Sequence, residues 1–480
     1  MKRESPLIII WLDNLGAFHR FMGELKNIAD AFAGGVLSLS KGGTTVKNLI
    51  SVVPSVTETV ELTVKAGCSL EEMPVVGEVT FDRETQAMLH LKETARFDDL
   101  VGPDLARRLF TSFGFRTCQM GWKLGGLGPV LSSPGQCAPN VLSIESEEAV
   151  RLELKASYEI IPFRITSFIN ALREHEADVY LLNISGDSIV HNEAKAGQRR
   201  FMQRLDEEFP RLMASIRAYT LDPTIIMFSD HGPKPIEKHV KPEDFLKDVE
   251  GLIFHGENRN AAVVSNGRGP LFVYVKNPGD EGLWRKTTYR ELRNYRGEDI
   301  LGAIAAKEDV AFVASNLEEG GISILSRDGQ AVLSEREGGF LYEVVAGADP
   351  LGLGQVEGRV VSAREMLAKT YDKEFPYPIQ LLKLLQSPRC GDIFVALRRK
   401  YAFFWDMPWV KTTHGGPSRS EITVSLLATG PEDEEAGISY GRELEYGSLA
   451  ELYNSLCRIL YRGKSPHRGV GGDLLFGGER

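Results

Sequence analysis

Short apolar runs recur along the chain, and each ends on polar or glycine residues. Leu7–Leu12 runs into Asp13, Val179–Ile184 ends near Asp187, and Thr224–Phe228 is followed by Ser229, Asp230 and His231. A fourth, Ile422–Leu427, comes shortly after His414. Between them lie amphipathic stretches at about 18–32, 101–113, 159–175, 193–219 and 447–461, which predict helices, with Pro210 kinking the fourth. Strand-like runs alternating with helical patterns predict βαβ units and a mostly parallel sheet, an α/β fold. The stretch 251–390 differs. Ile322–Leu325, an Asp328-Gly329 turn and Ala331–Leu333 predict a hairpin there, so this stretch reads as an inserted α+β cap on a core formed by 1–250 and 391–480.

With 480 residues the chain exceeds one ordinary compact core, since about 150 residues per domain suggests three units or one large core with an insertion. A hydrophobic share of 42% and a charged share of 25% belong to a soluble globular protein, not a disordered or collagen-like one. No segment approaches the ~18 consecutive apolar residues of a spanning helix. Leu7–Leu12 is too short for a signal-peptide core, and no small-residue cleavage site follows it. The net charge of −10 lacks the basic excess of proteins that bind nucleic acid through its backbone, so no such partner is expected. Five scattered cysteines with no CxxC pair argue against a disulfide scaffold or a cysteine zinc finger, and the expected location is the cytoplasm.

Candidate chemistry gathers at the strand ends. In open α/β sheets ligands bind beyond the carboxyl ends of the strands, where Asp13, Asp187 and Asp230 fall. A lone Asp at such a place is ordinarily a helix cap, so what accompanies each one decides. Asp187 and His191 are four residues apart and share one face if the chain is helical there, near enough to hold one metal. Asp230 and His231 are adjacent, so both serve one site only where the strand breaks into a turn, which Gly232 permits. His414 stands in Thr412-Thr413-His414-Gly415-Gly416. Pro54-Ser55-Val56-Thr57 places hydroxyls at a predicted helix start, where capping is the ordinary explanation.

In this chain order the set resembles the alkaline phosphatase superfamily, and within it the type I phosphodiesterase and nucleotide pyrophosphatase branch. The resemblance runs from Ile8-Ile9-Ile10-Trp11-Leu12-Asp13 to Thr413-His414-Gly415-Gly416, with fainter echoes at Asp349-Pro350-Leu351-Gly352 and Arg389-Cys390-Gly391-Asp392-Ile393. It implies a three-layer αβα core with the inserted cap, and two divalent metal sites. One would use Asp187, His191 and His414; the other Asp13, Asp230, His231 and the Thr57 hydroxyl. Mixed nitrogen and carboxylate donors suit zinc, with manganese the alternative. Two ions about 4 Å apart can clamp the attacking and leaving oxygens of an in-line displacement. Thr57 is the implied nucleophile, forming a phospho-threonine that water then hydrolyses.

The expected substrate is thus a small phosphate ester, a phosphodiester or nucleotide pyrophosphate. A phosphomonoester or phosphonate at the same site is the alternative, and a catalytically silent binding subunit the alternative of another class. Threonine at 57 leans toward diesterases, pyrophosphatases and phosphonoacetate hydrolase-like enzymes. One departure stands out. Relatives place a phosphoryl-binding Asn downstream of the nucleophile, whereas this chain reads Pro74-Val75-Val76-Gly77-Glu78. Lys123 is a candidate replacement, and Lys234, Lys238 and Lys241 read as a solvated loop able to steer anions.

Overall fold

The computed structural model describes residues 3–33, 42–73, 75–90, 115–120, 141–144, 146–279, 284–398, 401–403, 409–462 and 473–476. Strands of the central sheet are β1 (Leu7–Asp13), β2 (Thr44–Ile50), β3 (Thr117–Met120), β4 (Val141–Ile144), β5 (Val179–Ser185) and β6 (Thr224–Ser229). A second sheet follows with β7 (Ala261–Val264), β8 (Leu271–Val275), β9 (Val310–Asn316), β10 (Ile322–Leu325), β11 (Gly329–Arg336), β12 (Gly339–Gly347), β13 (Val360–Val361) and β14 (Ile393–Leu397). The chain then returns with β15 (Thr423–Thr429) and β16 (Glu443–Ser448). The helices that matter are α1 (Lys26–Phe32), α2 (Thr57–Ala66), α3 (Ile160–Glu174), α4 (Asp187–Tyr219), α5 (Ile379–Gln386) and α6 (Leu452–Leu460). The predicted stretch 101–113 lies outside the described residues.

The central sheet has the order β16-β2-β15-β6-β1-β5-β3-β4 and is parallel throughout except for β15. Alternation along β1 sorts the layers, because successive side chains leave opposite faces. Ile8, Ile10 and Leu12 pack with α1, α3 and α4. Leu7, Ile9 and Trp11 face α2, α5 and α6, in a cluster that runs on into the second sheet through Phe272, Phe312 and Phe394. This is the three-layer arrangement expected from the sequence. Register then fixes the site. Asp13 lies opposite Ser185 of β5, and Leu12 opposite Ser229 of β6, so three strands end at one edge.

The second sheet is antiparallel in the order β7-β8-β14-β9-β10-β11-β12-β13. The expected hairpin is there, Ile322 facing Leu333. The segment 251–390 supplies most of this sheet, and Ile393–Leu397 joins it from beyond that segment, at its middle.

The break in α4 lies at Ala194 (φ 53°, ψ −137°) rather than at the expected Pro210, and it sets off the first turns, which carry Asp187 and His191, from the shaft. Pro210 lacks the N–H that would serve the carbonyl four residues back, yet that carbonyl, on Asp206, accepts Asn27 Nδ2 at 2.9 Å. Lys234 also departs from the solvated-loop expectation: it is buried and its Nζ donates to Leu397 O at 3.1 Å. Lys238 remains exposed, bridging to Asp309.

Neither of the fainter sequence echoes lies in the metal-ligating groups; both hold structure together. Asp349 accepts the backbone N–H groups of Leu351 and Leu353. Asp392 is fully buried and accepts Arg83 Nη2 at 2.9 Å, Val275 N at 2.7 Å and Thr287 N at 2.8 Å. Removing its carboxylate takes the ion partner from the half-buried Arg83 guanidinium, which keeps only the Arg285 and Cys390 carbonyls, and leaves Val275 N and Thr287 N without this acceptor. Asp392→Ala is therefore expected to lower unfolding free energy by about 3–5 kcal/mol, read as an earlier urea midpoint at unchanged m-value. A loss under about 1 kcal/mol would show that water replaces the carboxylate.

Candidate active site

Seven of the sequence-predicted side chains meet at the carboxyl edge of β1, β5 and β6. Asp13 closes β1. Asp230 and His231 lie just past β6, where the strand pattern has ended and adjacent side chains need not alternate. Gly232 is required by crowding: a Cβ there would sit 2.4 Å from Ser420 O. Asp187 opens α4 and His191 follows one turn on. His414 arrives from the far end of the chain, and its loop is held by Gly415 N to Ser55 Oγ (3.0 Å) and Gly416 N to the buried Glu421 carboxylate (2.8 Å).

Two groups of atoms able to hold a metal ion result: Asp187, His191 and His414, and Asp13, Asp230 and His231, with candidate ligand atoms in each within 4.8 Å of one another. These are the divisions expected from the sequence. His191 Nε2 is 3.1 Å and His414 Nε2 3.7 Å from Asp187 Oδ1. His231 Nε2 is 3.5 Å from Asp230 Oδ2 and 3.7 Å from Asp13 Oδ1. The His231 and His414 rings stack with centroids 4.0 Å apart, so the groups adjoin. Thr57 is the first residue of α2, whose cap is Val56 without a side-chain bond. Its hydroxyl donates instead to Asp230 Oδ2 at 3.0 Å and lies 3.5 Å from His231 Nε2, so capping is not its work. Lys123 lies outside the described residues.

The surroundings fit divalent cations. His191 Nδ1 bonds to Thr412 O at 2.6 Å and His414 Nδ1 to Ser55 O at 3.1 Å. Carbonyl acceptors fix Nδ1 as the protonated nitrogen in both rings, leaving the Nε2 lone pairs for ligation. Ser185 Oγ donates to Asp13 Oδ2 at 2.8 Å, while Asn14 N and His231 N donate to Asp230 Oδ1 at 3.0 and 2.8 Å. Two buried atoms, His231 Nδ1 and Asn14 Oδ1, have no hydrogen-bond partner among the described residues. Burial pushes the Asp230 carboxyl up against the pull of His231, and the Asp13 charge adds to the rise; a cation between these carboxylates would relieve that repulsion. Burial and the neighbouring His231 hold His414 well below the ordinary histidine value, as a neutral ligand must be. Burial disfavours charged His191, but the Asp187 charge and hydrogen bond outweigh it and raise its pKa.

Asn14 and Ser185 escaped the sequence reading. Asn14 adopts a left-handed φ of 62° and its Nδ2 reaches Asp187 Oδ1 at 2.9 Å, linking the two groups. Its only sequence signal was adjacency to Asp13. The stretch in which relatives carry their Asn is met by another one, Asn266, whose amide donates to Val76 O (2.6 Å) and Val79 O (3.0 Å) and accepts Val79 N (2.9 Å). Asn266 is thus occupied in bracing that stretch.

The profile of the type I phosphodiesterase / nucleotide pyrophosphatase family matches residues 13–338. The chain belongs to this family. It is accordingly a phosphoric-ester-hydrolysing enzyme by descent, and the filled set of seven side chains gives no ground for a silent binding subunit. His414 lies beyond the matched span, and the fold brings it in. No curated protein matches the sequence. Among solved structures, murine ectonucleotide pyrophosphatase / phosphodiesterase 5 superposes with a TM-score of 0.58 at 13% identity, over 97% of each chain. An inactive variant of it in complex with AMP matches equally, with a TM-score of 0.58 at 12% identity. Phosphonoacetate hydrolase from Sinorhizobium meliloti 1021, in complex with phosphonoformate, gives 0.54 at 14% identity, over 96% of this chain and 95% of that one. At such identities these likenesses show the shared fold of the family member described here.

Because ligation needs a neutral imidazole, protons compete with metal at His191 below its raised pKa. Zinc affinity of the Asp187 group is expected to fall as pH drops from about 8 to about 6, by about tenfold per unit once His191 is protonated. Titration calorimetry at several pH values checks this; an affinity flat across that range would exclude His191 as a ligand. Asp187→Asn combined with His191→Ala should remove one metal equivalent by elemental analysis, while two retained equivalents would exclude this ligand set.

Proposed function

We propose that this protein is a metal-dependent hydrolase of small phosphate esters, a phosphodiesterase or nucleotide pyrophosphatase, with Thr57 as nucleophile. The observation that carries the reading is the hydrogen bond from Thr57 Oγ1 to buried Asp230, made at the first residue of a helix. The hydroxyl stands where the N-terminal turn of α2 presents N–H groups without intrahelical partners, a setting that favours an anionic phosphoryl group. The seven side chains divide as Asp187, His191 and His414 for one divalent ion and Asp13, Asp230, His231 and Thr57 for the other. Zinc suits these donors best, with manganese the alternative. When bound, such ions lower the pKa of an attacking oxygen and neutralise charge on the leaving one.

The chain's own groups carry the rest. Thr57 Oγ bonds to phosphorus as the bond to the departing alcohol or phosphate breaks, and its proton has an acceptor in Asp230, 3.0 Å away. Water then opens the Thr57–phosphoryl bond, releasing phosphate or its monoester and restoring the hydroxyl. Asn14 and Ser185 hold the carboxylates in place for both displacements. Cytoplasmic location belongs to the same proposal, on the ground of five scattered cysteines with no CxxC pair. Among the described residues no helix is long and apolar enough to cross a membrane.

Hydrolysis of bis-p-nitrophenyl phosphate beside p-nitrophenyl phosphate, with zinc or manganese and with chelator, tests the reading. Metal-dependent diester turnover is expected, reduced about 10³-fold or more in Thr57→Ala and largely kept in Thr57→Ser. Faster monoester turnover would move the assignment to a phosphomonoesterase on the same site. Turnover undiminished in Thr57→Ala would exclude the phospho-threonine.

A further inference from the structure

The loop joining β7 to β8 leaves the second sheet and is fastened to the His414 loop. Asn266 anchors its start to the backbone at Val76 and Val79. Gly267 O accepts His414 N at 3.1 Å and the Thr413 hydroxyl, and Phe403 N bonds to Arg268 O at 2.9 Å. Residue 268 itself pairs with His414 in an isolated parallel bridge. Its neighbours are glycines by necessity. A Cβ at 267 would lie 2.7 Å from His414 Nδ1, and one at 269 would lie 2.5 Å from His414 O. The residue between them, Arg268, adopts φ 68°, where glycine is favoured and a long side chain is strained. Strain of this kind persists where a side chain is needed at that place.

We propose that the Arg268 guanidinium binds an anionic phosphoryl oxygen of the substrate beside the Asp187–His191–His414 group. This rests on the hydrolase reading above, and it fills the role that the family's phosphoryl-binding Asn leaves open in this chain. Arg268 is half-buried, and its parallel bridge to His414 sets it against the loop that carries that imidazole. A guanidinium on that loop would bring two parallel N–H donors to a tetrahedral oxyanion, the geometry for which Arg is favoured over Lys. The family's Asn would have contributed hydrogen bonds without charge. A cation in that role strengthens the hold on an anionic phosphoryl oxygen, whether of a diester or of a pyrophosphate.

The test uses the full chain carrying Thr57→Ala and loaded with zinc, titrated calorimetrically with inorganic phosphate, with and without Arg268→Gly or Arg268→Lys. Because φ 68° suits glycine, Arg268→Gly should keep the zinc content of its Thr57→Ala parent and melt no lower than it. Its phosphate affinity should fall about 10- to 100-fold, and Arg268→Lys should recover part of the loss through charge alone. Unchanged phosphate affinity in Arg268→Gly would overturn the proposal, as would weakened binding accompanied by loss of zinc or of melting temperature. The two readings separate cleanly. An active wild type with no phosphate effect at 268 sinks the arginine alone, and an inactive wild type whose phosphate binding still depends on Arg268 sinks the hydrolase reading alone.

Discussion

The parallel register of β1, β5 and β6 is the constraint on which everything else at the site depends. Because Asp13 lies level with Ser185, and Leu12 with Ser229, three chain segments leave the sheet at one height. Each brings a carboxylate, and Asp13 and Asp230 are fully buried there. Burying two adjacent carboxylates is unfavourable unless donors and positive charge surround them. The structure supplies donors from Asn14 N, His231 N, Ser185 Oγ and the Thr57 hydroxyl. None of these donors is a cation, and the His231 imidazole lies against both carboxylates. That arrangement suits a bound divalent ion, and it sets the proposed nucleophile, Thr57, against an acid.

The second sheet is part of the site's construction, not a separate lid resting on it. One hydrophobic cluster runs from β1 and α2 through Phe272, Phe312 and Phe394. The loop from β7 to β8 then reaches the His414 backbone on one side, and Ser55 and Glu421 hold it on the other. Three regions far apart in sequence must agree before His414 Nε2 points at Asp187. The Asp392 carboxylate, which ties β8 and Thr287 to Arg83, helps hold that loop's parent strands in place.

Much of this was legible in the sequence where the signal is local. Continuous apolar runs ending in Asp13, Asp187 and Asp230 identify strand ends, and the spacing of Asp187 and His191 identifies one helical face. What depends on distant pairing was not legible. Nothing near Lys234 announces that Leu397 O will take its ammonium. Pro210 carries a strong local signal for a kink, but Asn27 serves the carbonyl that proline cannot, and the helix breaks at Ala194 instead. Ile393–Leu397 likewise gives no local sign that it will pair between β8 and β9. Thr57 was ambiguous for the same reason, since a hydroxyl at a helix start reads as a cap until Asp230 is seen opposite it.

The charge balance sharpens the chemistry. A protein of net charge −10 does not draw anions by its overall field, so attraction must be generated within the site. Three sources are proposed there: the N-terminal turn of α2, the divalent ions that the seven side chains would hold, and the guanidinium at 268. The first two recur wherever this arrangement of strands and ligands is preserved. The third depends on one position of a second-sheet loop, residue 268, whose side chain can differ while the loop backbone stays fastened to His414. Selectivity among phosphate esters can therefore be set on that loop while the chemistry stays fixed at the edge of the central sheet, provided Gly267 and Gly269 keep the backbone close to His414.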